Sequence, residues 1–217
     1  MAKRKIYVLI ACEESQAECS EFRKAGFVAF SCDLQKCGRN ANPSWHIRGD
    51  VVPFLYGRYE FKTMDGKRHK VPRWDLIVAH PPCTYLCKLS SVQLTKAGVL
   101  DRDRYMKLIE AREFFLVCLN ALAPFVAVEN PLPMAKSCLP PPSCFADPAW
   151  YGYRYHKKTL YWTKNLPPLF AQVVNPDATG LVRSTRSKWR ARTAPNLAHA
   201  LVDQWGVWVK DHLEETL

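Results

Sequence analysis

A thiol and a carboxyl group, each carried on a strand that runs into a proline-stiffened turn, are the side chains of this sequence best placed to do chemistry. The thiol is Cys83. It follows the apolar run Asp75 to Ala79 and the pair Pro81-Pro82 in the stretch WDLIVAHPPCTYL. Two prolines fix two φ angles and remove two N–H donors, so Cys83 is held on a stiff, non-helical loop at the carboxyl end of its strand. That is the edge where open α/β sheets bind ligands. The carboxyl is Glu129, which follows the short strand Phe125 to Val128 and opens the turn Glu129-Asn130-Pro131. If the two strands are adjacent and parallel, a nucleophile and an acid share one edge. Cys83 taken alone reads equally well as a small buried residue in a tight turn, because free cysteine is among the most buried residue types. Two further acids, Asp33 and Asp50, stand where a sheet edge offers acceptors to a bound nucleotide; strand-end solvation explains either one equally well.

The elements that must position these groups follow in order. Residues 5–11, KIYVLIA, are a buried parallel strand. CEESQAECSEFRKAGF has acids early, bases late and Gly26 at its end, the pattern of a helix with a glycine C-cap. FVAFSC, residues 27–32, is the second strand, with Asp33 just past it, so the chain opens on a βαβ unit. Residues 38–53 read as loop. Residues 59–71 alternate around Asp65-Gly66 and predict a basic β-hairpin inserted ahead of the Cys83 strand. Residues 88–100 lack a period and are expected to be a mobile loop. Asp101 to Leu122 carries apolar residues at helical spacing. YHKKTLYW is expected to be a strand bearing Lys157 and Lys158, and Pro195 to Lys210 a closing helix.

The 217 residues suffice for one α/β domain with a full core. No apolar run approaches a membrane span, and the opening MAKRK leads straight into strand-like sequence, so a cytoplasmic protein with no membrane partner is expected. Nine scattered cysteines, without Cys-x-x-Cys spacing, read as reduced thiols rather than a disulfide or zinc framework; no metal is expected. Lys and Arg number 31 against 20 acids, a formal net charge of +11, which suits a polyanionic partner. Arg183, Arg186, Lys188, Arg190 and Arg192 surround Trp189 with no acid among them, a pattern that fits a nucleic-acid backbone or a solvated loop.

In this order the motifs resemble the DNA (cytosine-5)-methyltransferase family, in particular its short, often phage-encoded members of restriction-modification systems. Ala25-Gly26-Phe27 is similar to the end of the first cofactor motif, Ser31-Cys32-Asp33 to the second, and Gly49-Asp50-Val51 to the third. Pro81-Pro82-Cys83 resembles the nucleophile motif and Glu129-Asn130-Pro131 the Glu-Asn motif that holds the target base. Tyr151-Gly152 with Lys157 to Tyr161 resembles a later motif, and Arg192 to Trp205 the closing one. The resemblance implies a single Rossmann-like methyltransferase domain over residues 1–217, a mostly parallel sheet flanked by helices, with the hairpin at 59–71, a reduced basic recognition region at 164–194 and a closing helix at 195–211.

It also implies S-adenosylmethionine as cofactor, surrounded by Cys12, Glu13, Glu14, Ser15, Asp33, Asp50 and Pro81. Cys83, Glu129 and Lys157 would be catalytic, while Asn130, Lys158, Arg186, Lys188 and Arg190 would contact DNA. A thiolate adding to C6 of cytosine makes C5 nucleophilic, and an acid at N3 eases that addition; in a duplex the base is first flipped out. Three features depart from the family. CEESQAE has no glycine before Gly26, so Glu13, Glu14 and Ser15 are expected to replace a glycine loop. Lys157 and Thr159 stand where the family carries two arginines. Little chain separates Tyr161 from Arg192, so specificity is expected to be low or supplied by a protein partner. Modification of RNA or a nucleotide, and a silent nucleic-acid-binding protein of the same fold, are the alternative readings.

Overall fold

A computed structural model describes residues 4–173, 177–178 and 193–213. The chain begins with β1 (Tyr7–Ala11), α1 (Ala17–Lys24) and β2 (Val28–Asp33), followed by β3 (His46–Arg48) and the short α2 (Val52–Leu55). The hairpin strands β4 (Glu60–Lys62) and β5 (Arg68–Lys70) precede β6 (Leu76–Ala79). A second hairpin, β7 (Thr95–Lys96) and β8 (Val99–Leu100), leads into the long α3 (Arg102–Leu119) and β9 (Phe125–Pro131). The chain returns through β10 (Cys144–Ala146) and β11 (Thr159–Lys164) to α4 (Pro195–Leu201), a π-helical turn at Val202–Gly206 and α5 (Val207–His212).

Seven strands form one sheet in the order β10-β11-β9-β6-β1-β2-β3. Strands β3, β2, β1, β6 and β9 are parallel, whereas β11 runs antiparallel to both of its neighbours. This is the expected mixed α/β, Rossmann-like layout, a mostly parallel sheet flanked by helices. All four residues of β6 are buried, which is why LIVA reads as a continuous apolar run rather than an alternation. On one face, Val8, Ile10, Leu76, Val78, Ala127 and Tyr161 pack with Phe22 of α1 and with Leu197, Leu201 and Trp205 of the closing helices. On the other, Leu9, Ile77, Val126, Val128 and Trp162 pack with Phe115 and Cys118 of α3 and with Phe61 of the first hairpin. Phe61 stacks on Trp74, with 5.7 Å between ring centroids, so that hairpin is anchored to the core just before β6.

Several local expectations change. The helix expected from Cys12 begins at Ala17, because Cys12 and Gln16 hold left-handed backbone, φ 61° and 60°, that breaks a helix. It ends as expected at Gly26, φ 86°, a conformation that costs glycine little. Residues 46–48, read as loop, are the edge strand β3, held by parallel pairing to β2. The stretch 88–100 is structured: a 3₁₀ turn covers Lys88–Gln93, and Ala97-Gly98, φ 49° and 78°, closes the β7–β8 hairpin. Both turn residues take positive φ, the geometry of a type I′ connection, but alanine stands where asparagine would have announced it. Strand β9 extends past Val128 to Pro131 because β11 pairs along its whole length. Lys157 and Lys158 lie just before β11 rather than on it. Among the described residues no helix is long and apolar enough to cross a membrane.

Candidate active site

β6 and β9 are adjacent and parallel, with Ala79 paired to Val128, so the loop that carries Cys83 shares one end of the sheet with Glu129, which lies in β9 rather than in the turn expected there. After β6 the backbone N–H of His80 donates to the Ala11 carbonyl at 2.9 Å, and Pro81-Pro82 then carry the chain to Cys83. There the Cys83 carbonyl accepts from the N–H groups of Leu86 and Cys87, both at 3.0 Å, so the thiol sits at the start of a tight turn. Cys83 is half-buried. Burial pushes its pKa up from 9.0 to about 11, the charges of Glu129 and then Cys87 add to that, and a backbone hydrogen bond and Lys157 oppose it. Glu129 and Lys157 are therefore both electrostatic neighbours of the thiol. A thiol raised this far is mostly protonated at neutral pH.

Side chains on a strand alternate, and this separates Glu129 from Asn130. Asn130 is fully buried, and neither atom of its amide has a hydrogen-bond partner among the described residues. Glu129 reaches a buried polar cluster that sequence reasoning missed. His80 Nδ1 lies 3.5 Å from Glu129 Oε2, and His80 Nε2 lies 3.1 Å from Oε2 of Glu18 on α1. Burial works against the His80 charge, but Glu18, then hydrogen bonding to Glu129 and Glu18, raise it well above the ordinary 6.5. Glu18 is itself fully buried, and its Oε1 accepts from Thr193 Oγ1 at 2.8 Å. Tyr161, paired with Glu129 across β9–β11, has a buried hydroxyl; burial raises its pKa, and the charges of Glu18 and Glu129 raise it further. The signal available in the sequence was the alternation along β6, which turns His80 to the same face as Val78.

The residues expected on the cofactor side gather at the neighbouring strand ends. Cys12 follows β1, and its thiol is raised by burial, then by Cys118, Asp33, Cys32 and Asp50, so Asp33 at the end of β2 and Asp50 just past β3 face one locality. Asp33 Oδ1 accepts from Gln35 N at 2.7 Å, and Asp50 Oδ1 from Val52 N at 3.0 Å. Each carboxylate has a second oxygen able to accept from a hydroxyl or amino group. The loop in between is built without glycine. Gln16 locks it by donating to Ser31 Oγ at 3.2 Å and to the Asn42 carbonyl at 3.0 Å while accepting from Asn42 N at 2.7 Å. Glu13 turns inward: its carboxyl accepts from Glu18 N at 2.8 Å and Cys19 N at 3.3 Å, and so takes N–H groups that a helix start otherwise offers to an anion. Ser15 Oγ accepts from Ala17 N at 3.4 Å, the Glu14 carbonyl accepts from Gly38 N at 2.8 Å, and Pro81 is buried.

Lys158 lies with its ammonium 4.2 Å from the centroid of the Phe145 ring. The basic cluster Arg183, Arg186, Lys188, Arg190 and Arg192 falls outside the described residues, as does most of 164–194 beyond Val173. A groove of about 580 Å³ runs between the 3₁₀ turn that follows Cys83 and the segment just past β9, and its lining includes Lys88, Leu94, Leu132, Met134 and Lys136.

No protein-family model matches the sequence, and no curated protein matches it. Among solved structures, one described as a "putative DNA modification methyltransferase encoded within prophage" (E. coli) overlays with a TM-score of 0.47 at 13% identity, covering 79% of this chain and 52% of that one. This chain therefore spans about half the length of that protein.

Proposed function

We propose that the chain is an S-adenosylmethionine-dependent methyltransferase acting on C5 of cytosine in DNA through a covalent adduct at Cys83. The observation that carries this reading is the meeting of Cys83 and Glu129, on adjacent parallel strands, close enough for one charge to perturb the other. The formal charge of +11 supports a polyanionic substrate. Cys83, having passed its proton to Glu129, adds as thiolate to C6 of a flipped cytosine while the protonated Glu129 donates to N3, so negative charge accumulating in the ring is drained toward the acid. Engaging Glu129 with N3 also removes the charge that most strongly opposes thiolate formation after burial itself. Lys157 stabilises the thiolate and Lys158 faces the incoming strand. When bound, S-adenosylmethionine supplies the methyl group taken up at C5, with Asp33 and Asp50 holding its ribose and adenine. Transfer of the C5 proton to water then re-forms the C5–C6 double bond as the C6–S bond breaks and Cys83 leaves as thiolate.

Residues 1–217 act as one domain in this reading, the hairpin at 59–71 is an insertion, and base-specific contacts come from the region 164–194 or from a protein partner. The capping of α1 by Glu13 favours one second reading, a nucleic-acid-binding protein that has lost the methyl donor. Duplex DNA containing 5-fluorocytosine, incubated with the protein and S-adenosylmethionine, separates the two. A covalent adduct that disappears in Cys83→Ala supports the enzyme. An adduct that survives this substitution refutes the nucleophile, and no adduct together with no cofactor binding by calorimetry selects the silent binder.

A further inference from the structure

The imidazole of His80 is buried between two carboxylates from different parts of the fold, Glu18 of α1 and Glu129 of β9. A neutral ring carries one N–H and can satisfy only one of them; a charged ring carries two. The ring lies 3.1 Å from Glu18 and 3.5 Å from Glu129, so attraction between opposite charges holds the three groups together. The other titratable groups facing this cluster are Glu13, whose carboxyl pKa is raised to about 8 by burial and then by Glu18 while His80 partly offsets this, and Tyr161, whose hydroxyl feels Glu18 and Glu129. Thr193 fixes the far oxygen of Glu18. The backbone adds a second tie, since the His80 N–H is bonded to Ala11, the residue before Cys12.

From this arrangement we infer that His80 is a positioning residue, whose ring pins one oxygen of Glu129 and leaves the other to meet the target base, with Glu18 as the fixed counter-charge. The inference rests on Glu129 acting at the base, as proposed above. Contacts of this kind commonly shorten once substrate is bound. The arrangement links the two halves of the site mechanically. Glu18 belongs to the helix capped by Glu13 on the cofactor side, and Glu129 belongs to the base side, so one ring braces both. A buried ion pair kept only for stability would be replaceable by apolar residues at little cost. A positioning role predicts instead a loss in turnover.

Two measurements on the full chain test this. The first is the titration of the His80 ring nitrogens by NMR in ¹⁵N-histidine-labelled protein, with the signal assigned by its absence in His80→Gln. The ring is expected to stay protonated above its ordinary range, with a lower midpoint in both Glu18→Gln and Glu129→Gln. A neutral ring at pH 7, or a midpoint that Glu129→Gln leaves in place, overturns the inference. The second is methyl transfer to duplex DNA. His80→Gln is expected to lower kcat about 10- to 100-fold, with little change in KM for DNA and a displaced pH–rate profile. Wild-type kcat and pH profile in this variant overturn the inference as well. Should His80→Gln fail to fold, Glu18→Gln, which keeps the ring, is expected to displace the same pH profile. Failure of the wild-type protein to form any adduct or transfer methyl sinks the functional reading instead, and the ring titration alone then decides whether His80 holds Glu129.

Discussion

Removing the charge of Glu129 should make Cys83 more reactive toward a small alkylating reagent, although the same change is expected to abolish methyl transfer. The rise of the Cys83 pKa from 9.0 to about 11 corresponds to ~2.7 kcal/mol of disfavoured ionisation. Near pH 8 this cuts the thiolate fraction roughly 100-fold relative to an unperturbed thiol, and the greater nucleophilicity of the more basic thiolate returns about 10-fold, leaving a net deficit of about 10-fold. Burial is the largest cause and Glu129 the second, so Glu129→Gln should recover part of that deficit and lower the midpoint of the pH–rate curve without restoring 9.0. Lys157→Met should move the midpoint the other way, because Lys157 lowers it in the wild type. The assay is the pH dependence of iodoacetamide labelling at Cys83, resolved by peptide mass spectrometry, with exposed Cys138 in the same sample as internal reference. An unchanged or raised midpoint in Glu129→Gln would refute the claim that this carboxylate and thiol face one another.

Substituting Gly206 by alanine should destabilise the fold by about 1–3 kcal/mol in urea unfolding, because the new methyl would come within 3.1 Å of the buried Phe27 ring. Stability should also fall as pH rises from about 4.5 toward 8. His80 is raised above 6.5, so its contribution is whole below that value and is lost as pH rises through the folded one. Glu13 is raised above 4.5 by burial and then by Glu18, so ionising it in the folded chain costs stability over the same range. A flat or rising urea midpoint contradicts both assignments. Replacing Arg186, Lys188 and Arg190 together by alanine should weaken DNA binding and flatten the log–log salt slope by about 3 if each meets a phosphate; an unchanged slope makes the cluster a solvated loop. Asp33→Ala should weaken S-adenosylmethionine binding in calorimetry by about 10-fold or more, as expected for a lost charged hydrogen bond, and wild-type affinity would remove it from the cofactor site.

What the sequence by itself determined is what local pattern can carry. Continuous apolar runs announced β1, β6 and β9 because strands buried on both faces admit little else. Asp65-Gly66 announced the first hairpin, and Pro195 at the first turn announced the closing helix. Two proline turns suggested a shared edge, and the parallel pairing of β6 with β9 supplies it. Where the local code was silent, the fold imposed its own answer. The left-handed residues Cys12 and Gln16 delay α1, and nothing in CEESQAE announces them, since their conformation is sustained by Gln16 bonding to Ser31 and Asn42 rather than by glycine. The Glu18–His80–Glu129 cluster lay furthest from view. Its members stand on α1, after β6 and on β9, and Tyr161 and Thr193 join it from still later in the chain. Only closure of the sheet brings them within a few ångströms, and only burial turns ordinary acids and a histidine into a single charged unit.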